Sequence, residues 1–60
     1  MNISLQTQRK EQILGAALTV LVSNGYEKSR MDDVVKLSKL SKGTLYWYYK
    51  SKKEMYLDLV

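Results

Sequence analysis

From Ser41 the chain reads Ser-Lys-Gly-Thr-Leu-Tyr-Trp-Tyr-Tyr-Lys-Ser-Lys, and these are the residue types that can do chemistry on another molecule. Tyrosine hydroxyls and helix-N-terminal N–H groups donate to phosphate oxygens, a lysine ammonium reaches guanine O6 and N7, and a threonine meets a base edge or a thymine methyl. Glycine lets backbone approach a duplex closely. Lys42, Gly43, Thr44, Tyr46, Trp47 and Tyr48 are therefore candidate nucleic-acid contacts, provided a helix turns them outward. Lys50, Lys52 and Lys53 follow immediately, and Lys52 is placed to clamp a strand backbone. The chain offers no catalytic constellation. It contains no His, Cys or Pro, and its six carboxylates are scattered, so no nucleophile-and-base pair, metal site or cofactor site is implied. Ser41-Lys42-Gly43 is not a phosphate-cradling loop, because such a loop needs closely spaced glycines and only three occur here.

Positioning these residues falls to a small molecule. Sixty residues make one domain that hides only about 60% of its unfolded surface. Ten Lys and Arg against six Asp and Glu leave a formal charge of +4, and 45% of the residues are hydrophobic, which describes a foldable module attracted to a polyanion. The longest apolar run, residues 16–22, is broken by Thr19 and far short of the roughly 20 residues of a spanning helix. Lacking a secretory signal pattern as well, the chain is expected in the cytoplasm, with no membrane partner.

The periodicity predicts four helices at about residues 6–23, 30–38, 42–50 and 52–60. In the first, Ile13, Leu14, Ala17, Leu18, Val20 and Leu21 share one arc, and Asn24-Gly25 supplies a stop. Ser29 with Asp32 reads as a capping box for the second, whose inward stripe is Met31, Val34, Val35 and Ser38. Lys39-Leu40-Ser41 breaks the pattern. Ser41 caps the third helix, with Leu45 and Tyr49 inward, and Ser51 with Glu54 caps the fourth. No stop signal ends that last helix, so it reads as the start of a longer one, with Met55 and Tyr56 packing against a further domain. Tyr26 reads as a staple near the second helix.

A long helix followed by two short ones across a three-residue break is the plan of an all-α, three-helix homeodomain-like bundle with a helix-turn-helix, plus the start of a fourth helix. Some residues carry two readings. Tyr46 can pack its ring on the first helix while its hydroxyl points outward, Trp47 can fill the core or meet a partner, and residues 50–53 can be a solvated face. Leu45 and Tyr49 already claim the inward face, which leaves Trp47 as a contact residue.

Ser41-Lys42-Gly43-Thr44-Leu45-Tyr46, the aromatic pair after it, and Lys50-Ser51-Lys52-Lys53-Glu54-Met55 resemble the signature of the bacterial tetracycline-repressor (TetR) family of transcriptional regulators. Ile13-Leu14, Ala16-Ala17, Leu21 and Asn24-Gly25-Tyr26 are similar to that family's first helix and its exit. The resemblance implies a DNA-binding domain, residues 1–60, that precedes a larger helical domain for dimerisation and inducer binding. It carries DNA contacts onto Lys42, Gly43, Thr44, Tyr46, Trp47, Tyr48 and Lys52, with Ser29, Arg30 and Met31 meeting phosphate or base at the second helix; Ser41 adds a phosphate donor to its capping role. The chain departs from the family pattern at three positions. Lys39 stands where Gly is usual in the turn, Asp32 where some members place a base-reading Arg, and Tyr49 where Phe is usual, its hydroxyl needing a partner at the core edge.

The leading expectation is sequence-specific binding of double-stranded DNA at a palindromic operator, by a repressor that is a homodimer at full length and is released by an inducer in the missing domain. The alternative is a helical protein-interaction module that docks its aromatic third helix in a partner's groove. A cationic membrane-surface helix fits badly, because the polar face of the first helix carries Gln, Glu and Thr rather than Lys.

Overall fold

The structure, a computed structural model, describes residues 5–60, so residues 1–4 of the expected domain lie outside the described residues. It contains α1 (Leu5–Lys28), α2 (Met31–Ser38), α3 (Lys42–Tyr48) and α4 (Lys52–Leu59), and no strand among the described residues. At a rise of about 1.5 Å per residue, α1 as far as Asn24 spans about 30 Å, most of the 37 Å long axis of the molecule. Helices α2 and α4 pack against α1, and α3 packs against α2.

The core is one cluster. Ile13, Ala17, Val34, Leu45 and Met55 are fully buried, and Ala16, Val20, Met31, Tyr49 and Tyr56 nearly so. On α1 the buried stripe is Ile13, Ala16, Ala17 and Val20, an i, i+3, i+4, i+7 face narrower than the expected arc. Leu14 and Leu21 flank it, but Leu18 lies outside and is 48% exposed; the reading also missed Ala16. Two expectations about α4 are corrected as well. Met55 and Tyr56 belong to this core, and the Tyr56 hydroxyl donates to the Ala17 carbonyl at 3.2 Å. Tyr26 is half exposed and meets the Tyr56 ring at 5.5 Å between centroids, on α4 instead of near the second helix.

Gly25 breaks α1 as expected, but one more turn follows before the chain leaves the helix. Its φ of 82° and ψ of 164° fall in a region open essentially to glycine alone. The final turn closes when the Ser29 N–H donates to the carbonyls of Gly25 at 3.0 Å and Tyr26 at 3.3 Å. Ser29 is not the cap of α2. Its side chain is 2% exposed and its hydroxyl donates back to the Tyr26 carbonyl at 2.9 Å, so α2 starts one residue later from an extended Arg30 that makes no side-chain cap.

Between α2 and α3 the turn is held by hydrogen bonds of both backbone and side chain. Lys39 adopts the left-handed conformation (φ 64°, ψ 16°) and its N–H donates to the Val35 carbonyl at 3.1 Å. The buried Ser38 hydroxyl donates to Val35 O at 3.1 Å and accepts from Leu40 N–H at 3.2 Å, while the Ser38 carbonyl accepts from the Gln12 side-chain amide on α1. A lysine in that conformation carries a penalty of about 1–2 kcal/mol that glycine avoids, and the capping bond offsets it. The remaining caps follow expectation: Thr44 N–H donates to Ser41 Oγ at 3.1 Å, and Glu54 N–H to Ser51 Oγ at 3.3 Å.

Replacing Gly25 by Ala tests the break in isolation, because a methyl group there meets no atom within 4 Å. The backbone alone should then lower unfolding free energy by about 1–3 kcal/mol, read by urea titration of helical circular dichroism. A variant as stable as the parent would show that Gly25 does not hold this conformation.

Candidate nucleic-acid interface

With only seven residues, α3 has a single inward row. Leu45 lies at its centre with no exposure, and Tyr49 follows one turn later. The helix ends at Tyr48, short of the expected Lys50, because Tyr49 is extended (φ −135°, ψ 123°) after its N–H donates to Leu45 O at 2.9 Å. That extended step goes with a buried Tyr49 ring whose hydroxyl donates to Asp58 Oδ2 on α4 at 2.6 Å. Lys10 of α1 approaches the same carboxylate oxygen at 3.3 Å. The partner that the tyrosine hydroxyl needed is therefore Asp58, and the three groups tie α3 to both helices behind it.

With Leu45 and Tyr49 inside, the outer face of α3 is set. Trp47 is 64% exposed and its indole stands edge-on to the Tyr48 ring, 4.9 Å between centroids at 81°. Ser41, Lys42 and Gly43 are exposed, and Thr44 and Tyr48 are partly covered. A ring of this size left in water is unusual unless a partner covers it. Tyr46 takes the packing reading, half-buried against the core. Lys42 Nζ lies 3.6 Å from Asp32 Oδ1 of α2, both side chains about two-thirds exposed. Such a pair contributes about 0–1 kcal/mol, so the ammonium is readily released to another anion.

Not every expected contact reaches this face. Ser29 and Met31 are buried, which leaves the exposed Arg30 alone at the start of α2. Lys52 sits at the start of α4, where its ammonium donates to the carbonyls of Tyr26 at 2.6 Å, Ser29 at 3.2 Å and Glu27 at 3.5 Å, and stands 4.3 Å from the Tyr26 ring centroid. The carbonyls at a helix C-terminus carry partial negative charge, and Lys52 adds a cation to those ending α1. Lys50 similarly donates to Tyr46 O at 3.4 Å. Gln6 and Arg9 are what the sequence reading missed. They lie on α1, yet they line an open concavity of about 460 Å³ with Ser41, Gly43, Thr44, Trp47 and Tyr48. Only their i, i+3 spacing hinted that they share a face.

A short helix presenting aromatic and basic groups outward, seated on two supporting helices through a three-residue turn, defines a helix-turn-helix DNA-binding domain. The family model described as "Bacterial regulatory proteins, tetR family" matches residues 13–59, and the chain belongs to that family. It is 39% identical over 51 residues to the HTH-type transcriptional regulator QacR of Staphylococcus aureus, covering 85% of this chain and 27% of that protein. It is 38% identical over 55 residues to the uncharacterized HTH-type transcriptional regulator YhgD of Bacillus subtilis, covering 92% and 29%. With the biofilm operon icaADBC negative transcriptional regulator IcaR of Staphylococcus epidermidis it shares 34% over 47 residues, 78% of this chain and 25% of that one. The chain thus spans under a third of the length of these curated relatives. No solved structure matches it. Among the described residues no helix is long and apolar enough to cross a membrane, and no group of acidic, His or Cys side chains could hold a metal ion.

The Tyr49–Asp58 link makes stability depend on pH at both ends of the scale. Burial, then the hydrogen bond and charge of Asp58, push the Tyr49 hydroxyl well above its ordinary value near 10. The Tyr49 bond, then Lys10, hold the Asp58 carboxyl below its usual range. Above about pH 10 the unfolded state loses the tyrosine proton while the native state keeps it, so stability falls as pH rises. Below about pH 3.9 the unfolded state gains the carboxyl proton first, so the Asp58 contribution is lost on acidification. Tyr49→Phe should flatten the alkaline limb of a plot of thermal midpoint against pH; an unchanged limb would mean that Tyr49 is not its source.

Proposed function

We propose that the chain reads a palindromic operator in double-stranded DNA with α3 in the major groove, as one half of a homodimeric repressor. An inducer bound in a further helical domain, which also pairs the two copies, releases it. The observation that carries this reading is the outward, 64% exposed Trp47 beside Lys42 and Gly43, on a helix whose inner row is fully engaged. Lys42, Thr44 and Trp47 face base edges, while Arg30, Ser41, Tyr46 and Tyr48 serve the backbone and Gly43 allows close approach. The relatives support repression by name, since IcaR is called a negative transcriptional regulator. Pairing follows from size. A helix of seven residues reads few base pairs, and two copies on successive major grooves multiply affinity and specificity together.

Selecting duplexes from a random pool with the chain, then titrating the winner by fluorescence anisotropy at several KCl concentrations, tests the reading. With about 5 phosphate contacts, log affinity should fall with log salt at a slope near −4.5. Lys42→Ala should lose about 1–3 kcal/mol and relax preference at one position, and Trp47→Ala should weaken binding too. A flat salt response with Lys42→Ala silent would replace this function with the protein-docking one.

A further inference from the structure

The concavity between α1 and α3 is the part of the surface that the recognition helix alone does not explain. Its lining of Gln6 and Arg9 on one wall and Ser41, Gly43, Thr44, Trp47 and Tyr48 on the other contains no carboxylate. Its lining residues carry donors: the Arg9 guanidinium, the Gln6 amide and the Thr44 and Tyr48 hydroxyls, while the Ser41 hydroxyl donates to Thr44 Oγ1 at 2.8 Å. That chemistry suits an anion. Its volume of about 460 Å³ lies within the range of sites that hold groups of ligand size.

The first turns of α1 divide their two cations. Lys10 faces α4 and pairs with Asp58 at 3.3 Å. Arg9, one residue earlier and so about 100° round the helix, looks toward α3 instead, and among the described residues it forms no ion pair. A major groove about 12 Å wide is nearly filled by a helix about 10–12 Å across. Whatever stands immediately beside α3 therefore meets a sugar–phosphate ridge and not a base.

We infer that this concavity seats one phosphodiester of the operator backbone at its outer edge, held by the Arg9 guanidinium from α1 against Tyr48 of α3, with Thr44 and Trp47 deeper along the same wall turned to the bases. The inference rests on the DNA-binding reading and adds α1 to the binding surface. A planar guanidinium suits the task because two N–H groups can meet two phosphate oxygens at once. The contact fixes the angle at which α3 lies in the groove and carries no base preference of its own.

The test uses the chain and the duplex it selects from a random pool, with Arg9→Ala, Arg9→Lys and Trp47→Ala compared at several KCl concentrations. Arg9→Ala should weaken binding about tenfold, the size of one charge-assisted contact, and make the salt slope shallower by about one. Arg9→Lys should keep the slope with a smaller loss, because the charge stays while the fork is gone. The selected sequence and the thermal midpoint should not move in either. If Trp47→Ala weakens binding while Arg9→Ala leaves affinity and slope as they were, the phosphate seat is wrong and the DNA reading stands. A changed base preference at constant slope would make Arg9 a base reader and also overturn the seat. Failure of the parent chain to select any duplex at low salt overturns both.

Discussion

Everything on the outer face of α3 depends on how few side chains hold its inner face. Leu45 is the one fully buried residue of this helix, and Tyr49 completes the row from an extended position beyond its end. Burying one leucine contributes about 1.5–3 kcal/mol, far more than the exposed Lys42–Asp32 pair can. Packing therefore decides where α3 sits, and the ion pair only biases a lysine rotamer. Leu45 alone would leave a short helix free to rotate about it, and the partly buried Tyr46 and Tyr48 rings pack beside it on the core. The Ser41 cap at one end and the Tyr49–Asp58 hydrogen bond at the other supply the missing constraints.

The same logic governs the far end of α1. Gly25 redirects the chain with a conformation other residues resist, and the turn after it would leave carbonyls at a partly wet helix terminus. Lys52 answers them from the first turn of α4, and its ammonium also stands over the Tyr26 ring that packs on Tyr56. One side chain thus joins the end of α1, the entry to α2 and the start of α4. With ten core residues among those described, polar links of this kind fix angles between helices that apolar contact leaves loose.

Local signals are legible in the sequence, and relationships between helices are not. Ser41 and Ser51 are readable as caps because the partner N–H lies three residues away on the same chain. Gly25 is readable as a break for the same reason, although the extra turn after it depends on Ser29 folding back on Tyr26. The family resemblance also marked Lys39 as standing where Gly is usual, without fixing its conformation, and a hydroxyl at Tyr49 in need of a partner. Ser29 is misread as a cap because a hydroxyl before a helix has a generic role, and a neighbouring carbonyl overrode it; the carbonyl partners of Lys52 lie more than twenty positions back and leave no local signal. Leu18 is misread because an arc drawn on a wheel is wider than the groove that two neighbouring helices offer. Met55 and Tyr56 show an apolar stripe without showing what covers it, and the answer lies on α1, nearly forty positions back in the chain.

Charge needs the same distinction between total and placement. The sequence counts ten cations and a net +4, and the run of lysines after the aromatic helix looks like the natural DNA clamp. Folding engages several of them internally: Lys52 and Lys50 on helix carbonyls, and Lys10 on Asp58. Their charges still add to the long-range field, which acts over a Debye length of about 8–10 Å and draws the molecule toward a polyanion. Contact is another matter. A cation that satisfies a carbonyl must break that bond before it meets a phosphate, whereas a solvated one need only shed water. Steering therefore draws on the whole basic surface, whereas a cation already bonded within the fold starts at a disadvantage in close contact.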